Sequence, residues 1–453
     1  MPLQAQQNQE ETRLQALQKV LDSGTLQQVA RMLNALRPAE IAHLLEALPL
    51  AEREIVWGLV EEEDEGEVLV QLTDEVRASL VSKMDKEQLL AAAEGMDTDD
   101  LADLLQELPL TITWELLNSL DKQRRERLEG VLYYPEDTAG GLMNTDTVTV
   151  RAEVTLDVVM RYLRRLREKI PPQTDSLIVV NRDDKYLGVL YLTDLLTHEP
   201  TDTVAEVMSL DVKPIPADWP ARKVANRFEQ HDLVSAPVVD EDGRLLGRIT
   251  VDDVVDVIRE EGEHHFMGQA GLSEDADMFA PIVVSARRRA LWLGVNLVTA
   301  FLASWVIGLF EQTIEKVVAL AVLMPIVASM GGIAGSQTLT LAIRGLALGQ
   351  LSSKNARRLM VKELAVSLLN SLIWALVVGV VAGAWFNSTD IALLIAAALT
   401  INLLFAAFTG AALPLLLDRL GIDPALAGGV LLTTVTDVVG FLAFLGLATL
   451  FLL

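Results

Sequence analysis

One carboxylate lies inside an otherwise uncharged stretch at the end of the chain. Residues 425–453 contain a single charged side chain, that of Asp437. An ionised carboxylate in hydrocarbon costs at least ~2.5 kcal/mol on insertion scales. Asp437 therefore needs a wet cavity, a cation or a protonated contact with a neighbour. The nearby hydroxyls of Thr433, Thr434 and Thr436 suit a hydrated hard cation. The alternative is an acid hydrogen-bonded between packed helices, without a role in transport.

The charge of the chain is distributed unevenly, which indicates two different parts. Residues 1–284 carry 56 acidic and 27 basic residues, a net charge of −29, whereas residues 285–453 carry 7 acidic and 10 basic residues. An acidic soluble part therefore precedes an apolar membrane part, and no nucleic-acid partner is expected. The chain has no cysteine, which excludes disulfides, thiolate metal sites and a cysteine nucleophile. The N-terminal stretch does not resemble a secretory signal, so we expect the acidic part to be cytoplasmic.

Five apolar runs follow, each longer than the ~20 residues needed to cross a bilayer core. They cover roughly residues 290–310, 317–343, 361–386, 391–417 and 425–452. Under the positive-inside rule the basic residues orient these runs. Most of the basic residues within 285–453 lie before the first run or near the connection between the second and third, namely Arg287, Arg288, Arg289, Arg344, Lys354, Arg357, Arg358 and Lys362, whereas the connection between the first and second runs has only Lys316. The sequence therefore predicts a multi-pass protein with its N-terminus in the cytoplasm and its C-terminus outside.

The second run favours either an interrupted helix or a closely packed one. Pro325 removes a backbone donor, and Gly331, Gly332 and Gly335 allow unwinding or the close approach of a neighbouring helix. Unwound carbonyls would be good ligands for a hard cation, whereas a face of small residues would pack helices together. An odd number of spans cannot form an internal inverted repeat. We therefore expect a pore shared between protomers, most simply in a symmetric dimer.

Residues 140–260 contain a two-copy repeat in which each copy has two strands, a polar turn and a following helix. This repeat resembles a tandem pair of CBS domains, whose nucleotide-binding signature is Gly, two apolar residues, Ser or Thr, any two residues, then Asp. The second copy keeps Gly247, Thr250 and Asp253 but has Arg248 at an apolar position, and the first copy has Tyr191 in place of the hydroxyl residue. The resemblance implies an adenine nucleotide site in the second copy. A helix-capping role for Asp253 is the alternative.

Residues 1–135 show helical periodicity with an internal echo, which predicts stacked helical hairpins. Residues 39–50 (AEIAHLLEALPL) recur as residues 99–110 (DDLADLLQELPL). Acidic residues cluster here and on the helix after the second CBS-like copy. The expected regulatory metal ligands are Asp97, Asp99, Asp100, Asp103, Asp252, Asp253, Asp256, Glu260, Glu261 and Glu263. Like charges at four-residue spacing repel each other, and divalent cations would relieve that repulsion. For the separate run Glu61–Glu65 we expect a solvated face.

The order of these modules resembles the MgtE-type magnesium channels over nearly the whole chain. Three motifs carry the resemblance, at residues 136–143 (EDTAGGLM), 331–337 (GGIAGSQ) and 433–440 (TTVTDVVG). The resemblance implies a homodimeric channel lined by the second and fifth spans, in which Asp437 binds hydrated Mg2+. It also implies that Mg2+ bound between the helical, CBS and connecting-helix parts holds the channel closed. The expected pore residues are Asp437, Thr433, Thr434, Thr436, Gly331, Gly332 and Gln337.

Two departures from the family pattern bear on ion selectivity. Ile333 stands where the family usually has Asn, and Gly428-Gly429-Val430 stands where it usually has Ser-Gly-Pro or Ser-Asn-Pro. The loss of a pore amide would loosen ion selectivity, slow permeation, or leave one ligand role to a backbone carbonyl. The alternatives are a proton-coupled carrier with Asp437 as the titrating group, a carrier of broader specificity (Mg2+/Co2+), and a membrane-anchored nucleotide sensor without a pore. An enzyme is not expected, because the sequence has no nucleophile constellation and no phosphate-cradling GxxxxGK[ST] loop.

The predicted fold is therefore multidomain. It comprises an all-α superhelical domain (1–135), an α/β tandem CBS pair (136–200 and 201–259), a connecting helix (260–284) and an all-α membrane domain with five helices (285–453). We expect a homodimer in the bacterial cytoplasmic (inner) membrane. Mg2+ is the expected permeant and regulatory ion, and ATP or another adenine nucleotide is the ligand considered for the CBS pair.

Overall fold

The computed structural model describes residues 26–108, 110–167, 170–171, 174–273, 276–352 and 354–453, with only the backbone of residues 94, 95, 107, 110 and 111. The stretch expected not to be a secretory signal lies outside these residues. The chain divides into two compact units, each described by itself. One comprises Met1–Gly262 with Asp275–Pro281, and the other Glu263–Glu274 with Ile282–Leu453.

The first unit begins with a stack of short helices. Their bounds are α1 Leu26–Leu33, α2 Pro38–Glu46, α3 Leu50–Trp57, α4 Glu65–Val70, α5 Asp74–Val81, α6 Lys86–Gly95, α7 Thr98–Glu107, α8 Leu110–Ser119 and α9 Lys122–Leu132. Helix α2 packs on α3 and α4, α4 packs on α6, and α7 packs on α9. The echoed segments form α2 and α7, and both bury a leucine pair at the same place, Leu44–Leu45 and Leu104–Leu105. The predicted helical hairpins are confirmed.

Two small sheets of identical topology follow. The elements are β1 Thr149–Arg151, α10 Leu156–Leu166, β2 Ser176–Val180, β3 Tyr186–Tyr191, α11 Leu192–Thr197, α12 Val204–Val207, β4 Ile215–Pro216, α13 Ala221–His231, β5 Ser235–Val239 and β6 Leu245–Thr250. In each sheet the first strand is parallel to the second, and the second is antiparallel to the third. The register places Leu177 opposite Leu190 and Ala236 opposite Ile249. The predicted repeat is therefore present in the fold.

The helix after the second sheet differs from its predicted bounds. Helix α14 covers Val251–Gly268, whereas the connecting helix was predicted at residues 260–284. Its end has a local cause. Gly271 adopts a left-handed backbone (φ 70°), and the Leu272 amide donates to the Met267 carbonyl at 3.0 Å. This arrangement caps a helix with glycine and stops its continuation.

Five long helices form most of the second unit. They are α15 Ile282–Gly308, α17 Ala319–Ala347, α18 Ala356–Phe386, α19 Thr389–Arg419 and α20 Pro424–Leu452, with the short α16 Glu311–Lys316 after α15. Each is long and apolar enough to cross a membrane. The prediction of five spans is confirmed, and the chain is a multi-pass membrane protein. Helix α19 lies at the centre of the bundle, where it packs on α17, α18 and α20.

Helix α17 is continuous through both Pro325 and the glycine motif. The interpretation of an unwound span is therefore wrong. The glycines serve close packing instead. A Cβ at Gly331 would lie 2.2 Å from Asn402 Nδ2, and a Cβ at Gly335 would lie 2.9 Å from a Leu432 methyl group. The small-residue alternative describes these two positions.

Candidate metal sites

The predicted intramembrane acid opens onto a cleft between two helices of the bundle. The cleft has a volume of about 750 Å3 and is bordered by α17 and α20. We call it the membrane cleft, lined by Ala328, Ser329, Gly332, Ile333, Ser336, Gln337, Thr340, Thr433 and Asp437. A single carboxylate thus faces hydroxyl, amide and small side chains. Such a surface can hold water and a hydrated cation without direct coordination by several carboxylates.

The three threonines near Asp437 face different sides of α20. The Thr433 hydroxyl lines the membrane cleft and donates within its own helix, to the Gly429 carbonyl at 3.1 Å. Thr434 donates to the Val430 carbonyl at 2.7 Å and lies outside the cleft lining. Thr436 is fully buried and donates to the Thr433 carbonyl at 3.0 Å. The structure therefore brings one of the three predicted hydroxyls to the cleft, because residues on one helix face different sides.

The glycine motif divides in the same way between the cleft and the bundle interior. Gly332 and Gln337 line the membrane cleft, and a Cβ at Gly332 would meet no atom within 4 Å. Gly331 is buried against α19 and does not reach the cleft. Ile333 also lines the cleft and is 56% exposed. The departure from the family pattern is thus located on the surface that an ion in the cleft would meet.

The second candidate site lies in the first unit, where acids of α7 meet acids at the start of α14. Ligand oxygens of Asp97, Asp99 and Asp100 lie within 4.8 Å of one another. The neighbouring acids Asp103 and Asp253 take part in the same electrostatic interactions. We call these five residues the acidic cluster. Among the described residues, one buried oxygen each of Asp99 and Asp103 has no hydrogen-bond partner, and a bound cation would supply one.

The pKa values of the acidic cluster are raised. Burial, reinforced by the charge of Asp253, raises the pKa of Asp99 well above its usual range. Burial and Asp97 raise the pKa of Asp100 to about 7, and burial and Glu136 raise the pKa of Asp103 to about 8. Burial raises the pKa of Asp253 to about 6. Without a cation the carboxyls of Asp99 and Asp103 therefore hold protons at neutral pH and that of Asp100 holds one about half of the time, whereas Asp253 is mostly ionised.

The other predicted regulatory acids are less closely involved. Asp252 is exposed, and its charge raises the pKa of Asp97 and Asp253. Glu260 is exposed, and its charge contributes to the raised pKa of Asp103. The remaining acids of α14 point to other partners or to the surface. Asp256 lies 3.8 Å from Arg259, Glu261 lies 3.4 Å from Arg222, and Glu263 is exposed.

The run Glu61–Glu65, predicted as a solvated face, is solvated only in part. Glu61, Glu62 and Glu63 are exposed. Glu65 is buried at the start of α4, and burial raises its pKa. The difference arises because α4 turns one side toward α6, so acids that follow each other in sequence have different surroundings.

Two residues of the predicted nucleotide signature, Thr250 and Asp253, hydrogen-bond to each other. Asp253 accepts hydrogen bonds from the Thr250 amide at 3.0 Å and the Thr250 hydroxyl at 2.9 Å. This is the helix-capping arrangement that was the alternative interpretation. A Cβ at Gly247 would lie 2.7 Å from the Asn144 carbonyl oxygen, so the glycine allows two backbone segments to approach.

Sequence reasoning missed a buried ion pair within the first unit. The Arg53 guanidinium is fully buried and donates to both carboxylate oxygens of Asp277, at 2.7 and 2.9 Å. It also donates to the carbonyls of Leu45 and Leu48. The pair ties the helical stack to the segment that immediately precedes α15. No spacing rule connects residues 224 positions apart, so the sequence offered no signal.

Two contacts of the second unit were also missed. His264 Nε2 lies 2.7 Å from Asp423 Oδ2, which links the end of α14 to the start of α20. Asn402 is fully buried in α19, and its Nδ2 donates to the Val327 carbonyl at 2.8 Å. This second contact had a signal, because Asn402 is the one amide side chain between residues 391 and 417. Polar groups inside membrane spans mark functional positions.

Comparisons with known families cover most of the chain. A family described as MgtE, divalent cation transporter, matches residues 324–447. The MgtE intracellular N domain matches residues 36–137, and the CBS domain matches residues 139–200 and 204–260. Both candidate sites fall inside these matched regions.

Individual proteins show the same similarity. The chain is 34% identical over 447 residues to the magnesium transporter MgtE of Thermus thermophilus, covering 96% of this chain and 98% of that protein. It is 29% identical to the magnesium transporter MgtE of Bacillus subtilis, covering 96% of each. A crystal structure of the cytosolic domain of the Mg2+ channel MgtE in complex with ATP matches 54% of this chain and 99% of that one, with 33% identity and a TM-score of 0.50.

Proposed function

Because the chain belongs to the MgtE family of divalent cation transporters, we propose that it is a Mg2+-selective channel that cytosolic Mg2+ closes. The bacterial cytoplasmic membrane is its proposed location, with the N-terminus inside and the C-terminus outside. The observation that carries the proposal is the position of Asp437 in the membrane cleft, beside Gln337 and Thr433. A carboxylate on a polar surface between two membrane helices concentrates cations where hydrocarbon would exclude them.

The dimensions of the membrane cleft favour passage of a hydrated ion. Mg2+ dehydrates reluctantly and holds its first water shell at ~2.1 Å. A space of about 750 Å3 with one carboxylate accommodates that shell. Asp437 then interacts with Mg2+ through water, while Ser336, Gln337 and Thr433 exchange hydrogen bonds with the shell. Discrimination against monovalent cations follows from the size and charge of the hydrated ion.

A homodimer is proposed because the membrane cleft lies on an uncovered face. Ser336, Gln337, Thr340 and Thr433 are exposed on membrane helices, and polar side chains facing lipid are unfavourable. A second copy related by a two-fold axis would cover this face and complete the pore with a second Asp437.

The dimer can be tested cleanly because the chain has no cysteine of its own. We expect Ser336→Cys in native membranes to form a disulfide-linked dimer upon mild oxidation. The same oxidation after denaturation in SDS is the control. An exclusively monomeric band from the folded protein would contradict a shared pore.

Closure is proposed to follow from Mg2+ binding at the acidic cluster. Without the ion, the acids of α7 and α14 repel each other or hold protons. Mg2+ would draw the helical stack and the start of α14 together, and the last residues of α14 belong to the segment Glu263–Glu274 of the second unit. Moving a gate from mostly open to mostly closed takes ~5.5 kcal/mol of differential binding, which several weak sites acting together can supply.

Broader divalent specificity is the alternative that one observation favours. Ile333 presents an apolar side chain to the membrane cleft where the family pattern has an amide. A cleft with fewer hydrogen-bonding groups discriminates less between hydrated cations, so Co2+ would also pass. The proton-coupled carrier, which is a separate alternative, predicts that cation flux depends on a pH gradient.

An adenine nucleotide at the CBS pair is proposed as an independent regulator. It rests on the similarity to a cytosolic domain whose structure contains ATP. Thr250 and Asp253 hydrogen-bond to each other, so these two residues do not need a ligand to satisfy their hydrogen bonds. Titration calorimetry of the purified full-length protein with ATP tests this proposal, and absence of binding would leave the signature residues as a helix cap.

The experiment that tests the main proposal is a measurement of Mg2+ flux into proteoliposomes. The Mg2+ concentration is varied on the side of the membrane that carries the first unit. We expect flux that falls cooperatively as Mg2+ on this side rises and that needs no pH gradient. Flux of Co2+ without Mg2+ flux would contradict Mg2+ selectivity. Flux indifferent to Mg2+ on this side would contradict self-regulation.

A further inference from the structure

We infer that Asn402 is a positioning residue that sets the spacing of the two helices bordering the membrane cleft and thereby its ion selectivity. This inference rests on the proposed function, because it takes the membrane cleft as the ion path. Asn402 is on α19, which lies behind the cleft, and it is absent from the cleft lining. It therefore acts through α17 and α20.

Asn402 is held by one specific hydrogen bond. Its Nδ2 donates to the Val327 carbonyl of α17 at 2.8 Å, and its side chain is fully buried. Among the described residues, its Oδ1 has no hydrogen-bond partner. A buried amide that satisfies one of its two ends is unfavourable unless the position requires it. Simple packing would be served better by an apolar residue.

Each of the two helices that border the membrane cleft has a glycine at the point where it contacts Asn402. A Cβ at Gly331 of α17 would lie 2.2 Å from Asn402 Nδ2, and a Cβ at Gly440 of α20 would lie 2.7 Å from the same atom. No larger residue fits at either position while Asn402 stays in place. The amide thus lies between α17 and α20, in contact with both.

The contacts are adjacent to the residues that face the ion. Gly331 immediately precedes Gly332 and Ile333, both of which line the membrane cleft. Gly440 follows Asp437 by three residues, which is about one helical turn. A shift of either helix against Asn402 therefore moves the cleft lining. The positions of α17 and α20, which border the membrane cleft, therefore depend on the size of Asn402 and on its hydrogen bond to α17.

The inference is tested by the ratio of Mg2+ to Co2+ flux through the full-length protein in proteoliposomes. Asn402→Leu keeps the branching of the side chain and removes the donor. We expect this ratio to change roughly three- to tenfold, the equilibrium factor that corresponds to one interhelical hydrogen bond. The matched control is Thr400→Val on the same helix, whose hydroxyl donates only to its own helix at Ala396. It should leave the ratio unchanged.

A second measurement covers the case in which Asn402→Leu fails to insert. Gly331→Ala should lower Mg2+ flux at least about tenfold when Asn402 is present, and less than about twofold in an Asn402→Ala background where space exists for the methyl group. Equal effects in both backgrounds would overturn the proposed contact.

Two further outcomes separate this inference from the proposed function. An Asn402→Leu protein with a lower melting temperature and an unchanged flux ratio would make Asn402 a packing residue and overturn the inference. Asp437→Asn is assayed in parallel. Loss of flux in that variant together with an unchanged ratio in Asn402→Leu would refute the positioning role alone, whereas normal flux in Asp437→Asn would refute the ion path.

Discussion

The acidic cluster and the membrane cleft both present carboxylates that could attract a cation, but they differ in the number of those carboxylates. In the acidic cluster, oxygens of three aspartates lie within 4.8 Å of one another. The charge of Asp253 raises the pKa of Asp99 and Asp100, and the charge of Asp100 raises the pKa of Asp103. In the membrane cleft, Asp437 is the one carboxylate among the lining residues.

Under the proposed function, this difference corresponds to two ways of binding the same ion. Two ligands on opposite sides of a Mg2+ ion are ~4.2 Å apart, given metal–oxygen distances of ~2.1 Å. The acidic cluster has oxygens at a comparable spacing and can coordinate the ion directly. The membrane cleft offers one charge in a wide space, which suits an ion that keeps its water. A regulatory site needs to retain the ion, whereas a path needs to release it.

The largest expected effect isolates the membrane cleft. Asp437→Asn keeps the shape of the side chain and removes its charge, so Mg2+ flux should fall at least about a hundredfold. Asp390→Asn is the matched control, because Asp390 lies on a membrane helix outside the membrane cleft. Mg2+ binding to the acidic cluster should be unchanged in both variants, as measured by calorimetry. Normal flux in correctly inserted Asp437→Asn would contradict the assignment.

The next effect isolates the acidic cluster. Combined Asp97→Asn, Asp99→Asn and Asp100→Asn should leave Mg2+ flux intact while the Mg2+ concentration that closes the channel rises at least about tenfold. Charge attraction to the ion is lost, but the membrane cleft is unchanged. Combined neutralisation of Asp252, Asp256 and Glu260 is expected to act in the same direction.

The control for this prediction uses acids of the same domain. Glu61, Glu62 and Glu63 are exposed, and their replacement by Gln removes the same number of carboxyl groups. Closure should then occur at a nearly normal Mg2+ concentration. If the two triple variants behave alike, regulation depends on net charge and the acidic cluster is not a specific site.

A smaller effect concerns protons at the acidic cluster. The pKa values of Asp253, Asp100 and Asp103 are raised to about 6, 7 and 8. A raised carboxyl pKa means that the folded state binds protons more tightly than the unfolded state. The stability it contributes is therefore complete below pH ~4 and is lost as pH rises through ~6 to 8.

Two measurements test this predicted loss of stability with rising pH. The metal-free protein should melt on the order of 5 °C lower at pH 8 than at pH 5.5, and Mg2+ should reverse the loss. Because Mg2+ displaces bound protons, its affinity should rise with pH by about tenfold per unit for each proton released. Affinity that is independent of pH between 6 and 8 would place the regulatory ion elsewhere.

Much of the fold was readable from the sequence because its signals are local. The five spans follow from apolar length, and the two sheets follow from a repeat with alternating strands and turns. The acids of α7 and the start of α14 were also identified from their density. The sequence does not show which of these acids lie close together in the fold. That depends on packing between segments about 150 residues apart, as for Asp99 and Asp253.

The errors have physical reasons as well. The glycine motif is compatible with unwinding or with close approach, and the choice depends on whether a partner such as Asn402 lies opposite Gly331. Thr436 and Thr433 are three residues apart, but the first is buried and the second lines the membrane cleft. Helix rotation, which decides this, is set by packing against neighbours and is not given by composition.

The smallest expected effect is at Ile333, where the membrane cleft departs from the family pattern. Ile333→Asn adds an amide that can exchange hydrogen bonds with the water shell of an ion. Because one such bond is worth ~0.5–1.5 kcal/mol, the Mg2+/Co2+ flux ratio should rise about two- to tenfold. Val322→Asn is the control, since Val322 is exposed on the same helix but outside the membrane cleft. An unchanged ratio in Ile333→Asn would mean that the ion is selected by Asp437 and the cleft width alone. The proposed contrast between direct coordination in the acidic cluster and water-mediated passage in the membrane cleft would then rest on the number of carboxylates.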